Sequence, residues 1–118
     1  MTRILVADDN REFAELLRVT LEDAGYDVVT AYSGIAAVTA AEADDVDVVI
    51  LDVLLPGLSG DAIAERLRQV KPKLPILLMT GAGDQFARGS GLPVLHKPFA
   101  EEDLLERVAR LAAPRKPD

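Results

Sequence analysis

The chain has no cysteine and a single histidine among its 118 residues. Disulfide frameworks, thiolate nucleophiles and cysteine-ligated zinc or iron–sulfur sites are therefore excluded. Basic residues are in the minority, 13 against 20 acidic ones, and the net charge of −7 argues against a nucleic-acid-binding surface. No apolar run approaches the roughly 20 residues that span a bilayer. The amino-terminal "MTRILVADDN" also lacks the apolar core and small-residue cleavage site of a secretory signal. No glycine-rich phosphate loop follows the first apolar run, which disfavours a dinucleotide-binding unit. What remains is an intracellular, soluble domain of ordinary size and composition, 49% hydrophobic and 28% charged, long enough to bury one core.

Five short apolar runs punctuate the chain: "RILVA" (3–7), "DVVTA" (27–31), "VDVVILD" (46–52), "PILLMT" (75–80) and "LPVLHK" (92–97). Most are continuously apolar, as expected of strands in a parallel sheet covered on both faces. Segments of helical period lie between them. The first is expected from about Asn10 to Gly25, burying Phe13, Leu16, Leu17, Leu21 and Ala24, with Asp9 and Glu12 as a capping box. Ser33 is expected to cap an alanine-rich second helix to about Ala43. Ser59 is expected to cap a third that buries Ile63, Leu67 and Val70. The last begins near Ala100, with Glu101, Glu102 and Asp103 in its first turn and Leu104, Leu105, Val108 and Leu111 inward. Four glycines in "GAGDQFARGSG" (81–91) leave room there for a short, irregular helix at most. The expectation is an α/β fold, a doubly wound five-stranded parallel sheet forming one domain over 1–113, with 114–118 a frayed tail.

In such sheets the ligand crevice lies at the carboxyl ends of the strands. Those ends hold Asp8 and Asp9, then Asp52, Thr80 and Lys97. Taken singly, each has a plain reading as a cap, turn residue or solvated lysine. Together, three carboxylates, a hydroxyl and an ammonium suit a hard divalent cation beside a phosphoryl group. Mg²⁺ accepts carboxylate, phosphate and water oxygens and would offset the repulsion between adjacent aspartates. With no cysteine available, Asp52 at the end of the central strand is the candidate nucleophile, forming an aspartyl phosphate. Lys97 and Thr80 would hold the phosphoryl oxygens. His96, one position before Lys97, should point to another face and serve a surface or structural role.

"ILVADDN", "VVILDVLLPGLSG", "PILLMTG" and "LHKPF" together resemble the receiver domain of two-component response regulators over nearly the whole chain. The resemblance implies the (βα)₅ flavodoxin-like receiver fold. It implies that Asp52 takes a phosphoryl group from a phosphohistidine on a histidine kinase or phosphotransfer protein. It also implies Mg²⁺ held by Asp8, Asp9, Asp52 and the Leu54 backbone carbonyl, with Thr80 moving on phosphorylation. Such a protein is a cytoplasmic signalling domain, catalysing only its own phosphorylation and dephosphorylation. Two departures stand out. Val94 occupies the place where the family usually carries a switch aromatic, and the stretch between Thr80 and Lys97 is short, a form similar to receivers of hybrid histidine kinases. Leu54 and Ala82 are apolar where a polar side chain could orient a hydrolytic water, so slow autodephosphorylation is expected. Leu54, Leu55 and Leu58 stand near the site, either as a partner surface or buried in part by the third helix. The reading is a single-domain regulator, monomeric or weakly dimeric, that contacts an unidentified protein target. Its rivals are a phosphorylation-independent module of the same fold and a Mg²⁺-dependent phosphatase or other flavodoxin-like enzyme, for which no further general acid or base is visible near Asp52.

Overall fold

Parallel pairing orders the strands of a computed structural model as β2-β1-β3-β4-β5, the doubly wound arrangement in which the order reverses beside β1. The structure describes residues 2–43, 45–55, 60–81 and 91–112. The strands are β1 (Arg3–Ala7), β2 (Asp27–Ala31), β3 (Val48–Asp52), β4 (Ile76–Thr80) and β5 (Val94–His96), and the helices are α1 (Arg11–Asp23), α2 (Gly34–Ala43), α3 (Gly60–Val70) and α4 (Glu101–Ala112). The stretch 82–90, the Ser59 cap, Leu58 and the tail lie outside the described residues.

Two-residue alternation along each strand divides the core in two. Leu5, Val49, Leu51, Ile76 and Leu78 pack with Ala37, Ala41, Ile63 and Leu67 on the α2/α3 side. Ile4, Val6, Val48, Ile50, Leu77 and Met79 pack with Ala14, Leu17, Leu21, Leu104 and Val108 on the α1/α4 side. Continuous burial of β3 and β4 follows from being covered on both faces, and β2 is only half-buried because it forms an edge.

Local signals place most helix ends. Ser33 Oγ accepts from Ala36 N at 3.1 Å, as its capping role requires. The first helix differs from expectation: its cap is Asn10, in extended geometry, whose Oδ1 accepts from Phe13 N at 3.1 Å. Asp9 is not the cap, because the acidic pair belongs to the sheet edge. At the other end Gly25, at φ 99°, closes α1 with Gly25 N donating to Glu22 O and Tyr26 N to Leu21 O. The positive φ there favours glycine. The expected apolar stripe is narrower than its residues suggested. Leu16 is 60% exposed, Ala24 is exposed, and Val70 of α3 is on the surface, because each lies off the line through the residues facing the sheet.

Candidate functional site

Register brings the polar residues together. Ala7 pairs with Leu51, so the next residues along, Asp8 and Asp52, stand side by side at the carboxyl edge. Thr80 pairs with His96, which sets Lys97 one step beyond, and Lys97 N donates to Thr80 O at 2.7 Å. Alternation then sorts the side chains. Asp8, Asp52 and Lys97 continue the phase of Val6, Ile50 and Leu95 on the α1/α4 side, whereas Thr80 continues that of Ile76 and Leu78.

Lys97 Nζ donates to Asp8 Oδ2 at 2.9 Å and to Asp52 Oδ2 at 3.0 Å. The other oxygens are also held: Asp8 Oδ1 accepts from Asn10 N, and Asp52 Oδ1 accepts from Leu54 N, each at 2.9 Å. Asp8, Asp52 and Thr80 are buried, and Asp9 is exposed. The Thr80 hydroxyl makes no hydrogen bond to Asp52 or Lys97 among the described residues, so its link to the site runs through its backbone carbonyl. Leu54 presents its N–H to Asp52 and its side chain to solvent, while Leu55 is buried on the α2/α3 side. His96 is exposed and apart from these contacts, as its position in the strand predicted.

Burial pushes the Asp52 carboxyl above its ordinary value. The Leu54 N–H and the Lys97 ammonium oppose that shift, and the Asp8 charge adds to it. Burial also pulls Lys97 toward losing its proton, but its bonds to Asp8 and Asp52 and their charge outweigh this and raise it. One carboxylate oxygen each from Asp8, Asp9 and Asp52 lies within 4.8 Å of the others. An octahedral Mg²⁺ with ligands at about 2.1 Å spaces its oxygens about 3 to 4 Å apart, so a small adjustment would seat three ligands. With three carboxylates against one ammonium, the ionised cluster keeps a formal charge of −2, which favours a divalent cation.

Sequence reading did not single out two aromatics. Lys97 Nζ lies 4.7 Å from the centre of the Phe13 ring, and Phe99 meets that ring edge-on at 5.8 Å and 66°. Helical spacing places Phe13 in the buried stripe of α1 and gives no sign of its contact with Lys97. The missed signal is positional: one aromatic opens the helix after the acidic pair, and the other follows Lys97 by two residues.

A family described as the response regulator receiver domain matches residues 4–109. The alkaline phosphatase synthesis transcriptional regulatory protein PhoP of Bacillus subtilis (strain 168) is 39% identical over 111 residues, covering 90% of this chain and 46% of that protein. The chain thus spans about half the length of the curated relatives it matches. Among solved structures, response regulator protein TrrA of Thermotoga maritima, in complex with Mg²⁺-BeF, superposes with a TM-score of 0.83 at 34% identity, covering 94% of this chain and 99% of that one. The receiver domain from hybrid histidine kinase CckA superposes with a TM-score of 0.80 at 28% identity, covering 93% and 98%. Strand order, the acidic edge with its lysine, and a family match over most of the chain agree: this chain belongs to the response regulator receiver domain family.

Proposed function

We propose that the domain accepts a phosphoryl group on Asp52 from a phosphohistidine of a histidine kinase or phosphotransfer protein. The observation that carries this reading is the buried Asp52 carboxylate, bonded to Lys97 and clustered with Asp8 and Asp9. An Asp52 oxygen attacks phosphorus, a P–O bond forms, the P–N bond breaks, and the electron pair stays on the imidazole nitrogen. Lys97 turns from carboxylate to phosphoryl oxygen, supplying a positive charge where negative charge collects. The Leu54 N–H keeps the carboxylate oriented, and the Thr80 hydroxyl supplies a further hydrogen bond when it is drawn toward the phosphoryl group. Asp8, Asp9 and Asp52, with the Leu54 carbonyl, would hold Mg²⁺, whose charge offsets that of the phosphoryl oxygens.

Phosphorylation replaces the single charge of the Asp52 carboxylate with a phosphoryl group carrying close to two, a net gain of about one negative charge at a spot already acidic, and this local event can bias the surrounding fold. We infer a signalling or relay unit over 1–113 that acts in the cytoplasm by protein contact, as a monomer or weak dimer. The exposed, apolar Leu54 beside Asp52 supports slow loss of the phosphoryl group by leaving a water unoriented. Intact mass spectrometry after incubation with phosphoramidate tests the reading. Wild type with Mg²⁺ should gain one phosphoryl adduct, and wild type without Mg²⁺ or Asp52→Asn with it should gain none. A folded wild type that stays unmodified would indicate a phosphorylation-independent module.

A further inference from the structure

The lysine at this site has a cradle with two kinds of wall. Two carboxylates form one wall, at 2.9 and 3.0 Å. The face of Phe13 forms the other, with the ammonium 4.7 Å from its centre, inside the range where an aromatic quadrupole attracts a cation. Phe13 is itself held in place. Its backbone N–H donates to the Asn10 side chain, Asn10 N donates to Asp8, and Phe99 packs edge-on against the ring. Phe13, Phe99 and the Asp8, Asp52 and Lys97 side chains all fall on the α1/α4 side of the sheet.

The two walls have different fates during the reaction. Asp8 and Asp52 are the groups that a divalent cation and a phosphoryl group would engage, which loosens their hold on the lysine. A phenyl ring ligates no metal and accepts no phosphoryl group, so its hold persists. Lysine needs such a hold, because its compact charge sits on a flexible four-carbon stem that must be kept near the reacting carboxylate.

We propose that Phe13, buttressed by Phe99, is a positioning residue for Lys97: its ring face keeps the ammonium at the acidic edge when Asp8 and Asp52 are engaged elsewhere. The inference rests on phosphoryl acceptance at Asp52, and one of its two readouts does not depend on that chemistry.

The first readout is nuclear magnetic resonance of the metal-free protein. In wild type and Phe13→Tyr, the Lys97 ε-methylene protons should be displaced upfield by the ring, and in Phe13→Leu and Phe13→Met they should return to ordinary positions. An undisplaced wild-type resonance overturns the contact, whatever the protein's phosphorylation behaviour. The second readout is the rate of adduct formation from phosphoramidate at saturating Mg²⁺. Phe13→Leu and Phe13→Met should react about three- to tenfold more slowly than wild type, with Phe13→Tyr close to wild type. Wild-type rates in the Leu and Met variants, or equal slowing in Tyr, Leu and Met, overturn the proposal. Two ring-free variants guard against one failing to fold. A wild type without any adduct overturns the phosphoryl reading, leaving the resonance result to decide the contact.

Discussion

At the amino ends of the strands Arg3 meets Asp27 at 2.7 Å, and at the carboxyl ends Lys97 meets Asp8 and Asp52 at 2.9 and 3.0 Å. The distances are nearly the same and the surroundings are not. Arg3 and Asp27 side chains are 36% and 41% exposed, whereas those of Asp8 and Asp52 are 0% and 10% exposed. Water screens the first pair, so forming or breaking it changes little. The second cluster has surrendered its hydration to hold like charges together, an arrangement that burial energetics alone does not favour. The difference teaches that separation does not measure an ion pair. Costly burial of charge at the carboxyl edge of the sheet is what singles that edge out as the candidate functional site.

The largest effect that would sharpen this contrast belongs to Lys97→Met. Removing the ammonium leaves Asp8 and Asp52 facing each other without a counter-charge, and urea unfolding of the metal-free protein near neutral pH should show a loss of about 3 kcal/mol. A loss below about 1 kcal/mol would place the cluster in the same class as a surface pair.

Asp52→Asn should act in the opposite direction and more weakly, raising metal-free stability near neutral pH by about 1 kcal/mol. The sign follows from the raised pKa of Asp52, caused chiefly by burial. A group that binds its proton more tightly when folded contributes its full stability below the ordinary value of 3.8 and loses it as pH rises through the folded value. Thermal unfolding of both proteins across the acid range should therefore converge toward low pH and diverge toward neutral. Divergence in the reverse sense would contradict the account.

The smallest effect is at the amino edge. A double-mutant cycle on Arg3 and Asp27 should give a coupling of about 0.5 kcal/mol that shrinks with added salt. A coupling as large as the Lys97 loss would erase the distinction between the two edges.

Particular residues show how much of this was legible in the sequence. The strands were readable because β1, β3 and β4 are covered on both faces and show it as unbroken apolar runs such as "VVILD". Asp8, Asp9, Asp52 and Lys97 could be gathered in advance because the strand-end rule is one of topology. Helix rotation was less legible. Leu16 carries the same apolar signal as Leu17, and only packing against the sheet decides that Leu17 is buried and Leu16 is not. The α1 cap is ambiguous in sequence for a related reason: Asp9 and Asn10 are both good caps, and only the start of α1 at Arg11, with the Asn10 side chain accepting from Phe13 N, selects Asn10. Phe13 escaped because its partner lies 84 positions away in sequence, a contact that helical spacing cannot reveal.

The most direct test of the central claim, that the buried carboxylate at the end of β3 receives the phosphoryl group, is to trap the acyl phosphate chemically. Borohydride reduction after reaction with phosphoramidate and Mg²⁺ converts a phosphorylated aspartate to homoserine, which peptide mass spectrometry can locate. The account predicts homoserine at Asp52 and at no other aspartate. Homoserine at Asp8 or Asp9, or a phosphoryl adduct on a residue outside this edge, would contradict it.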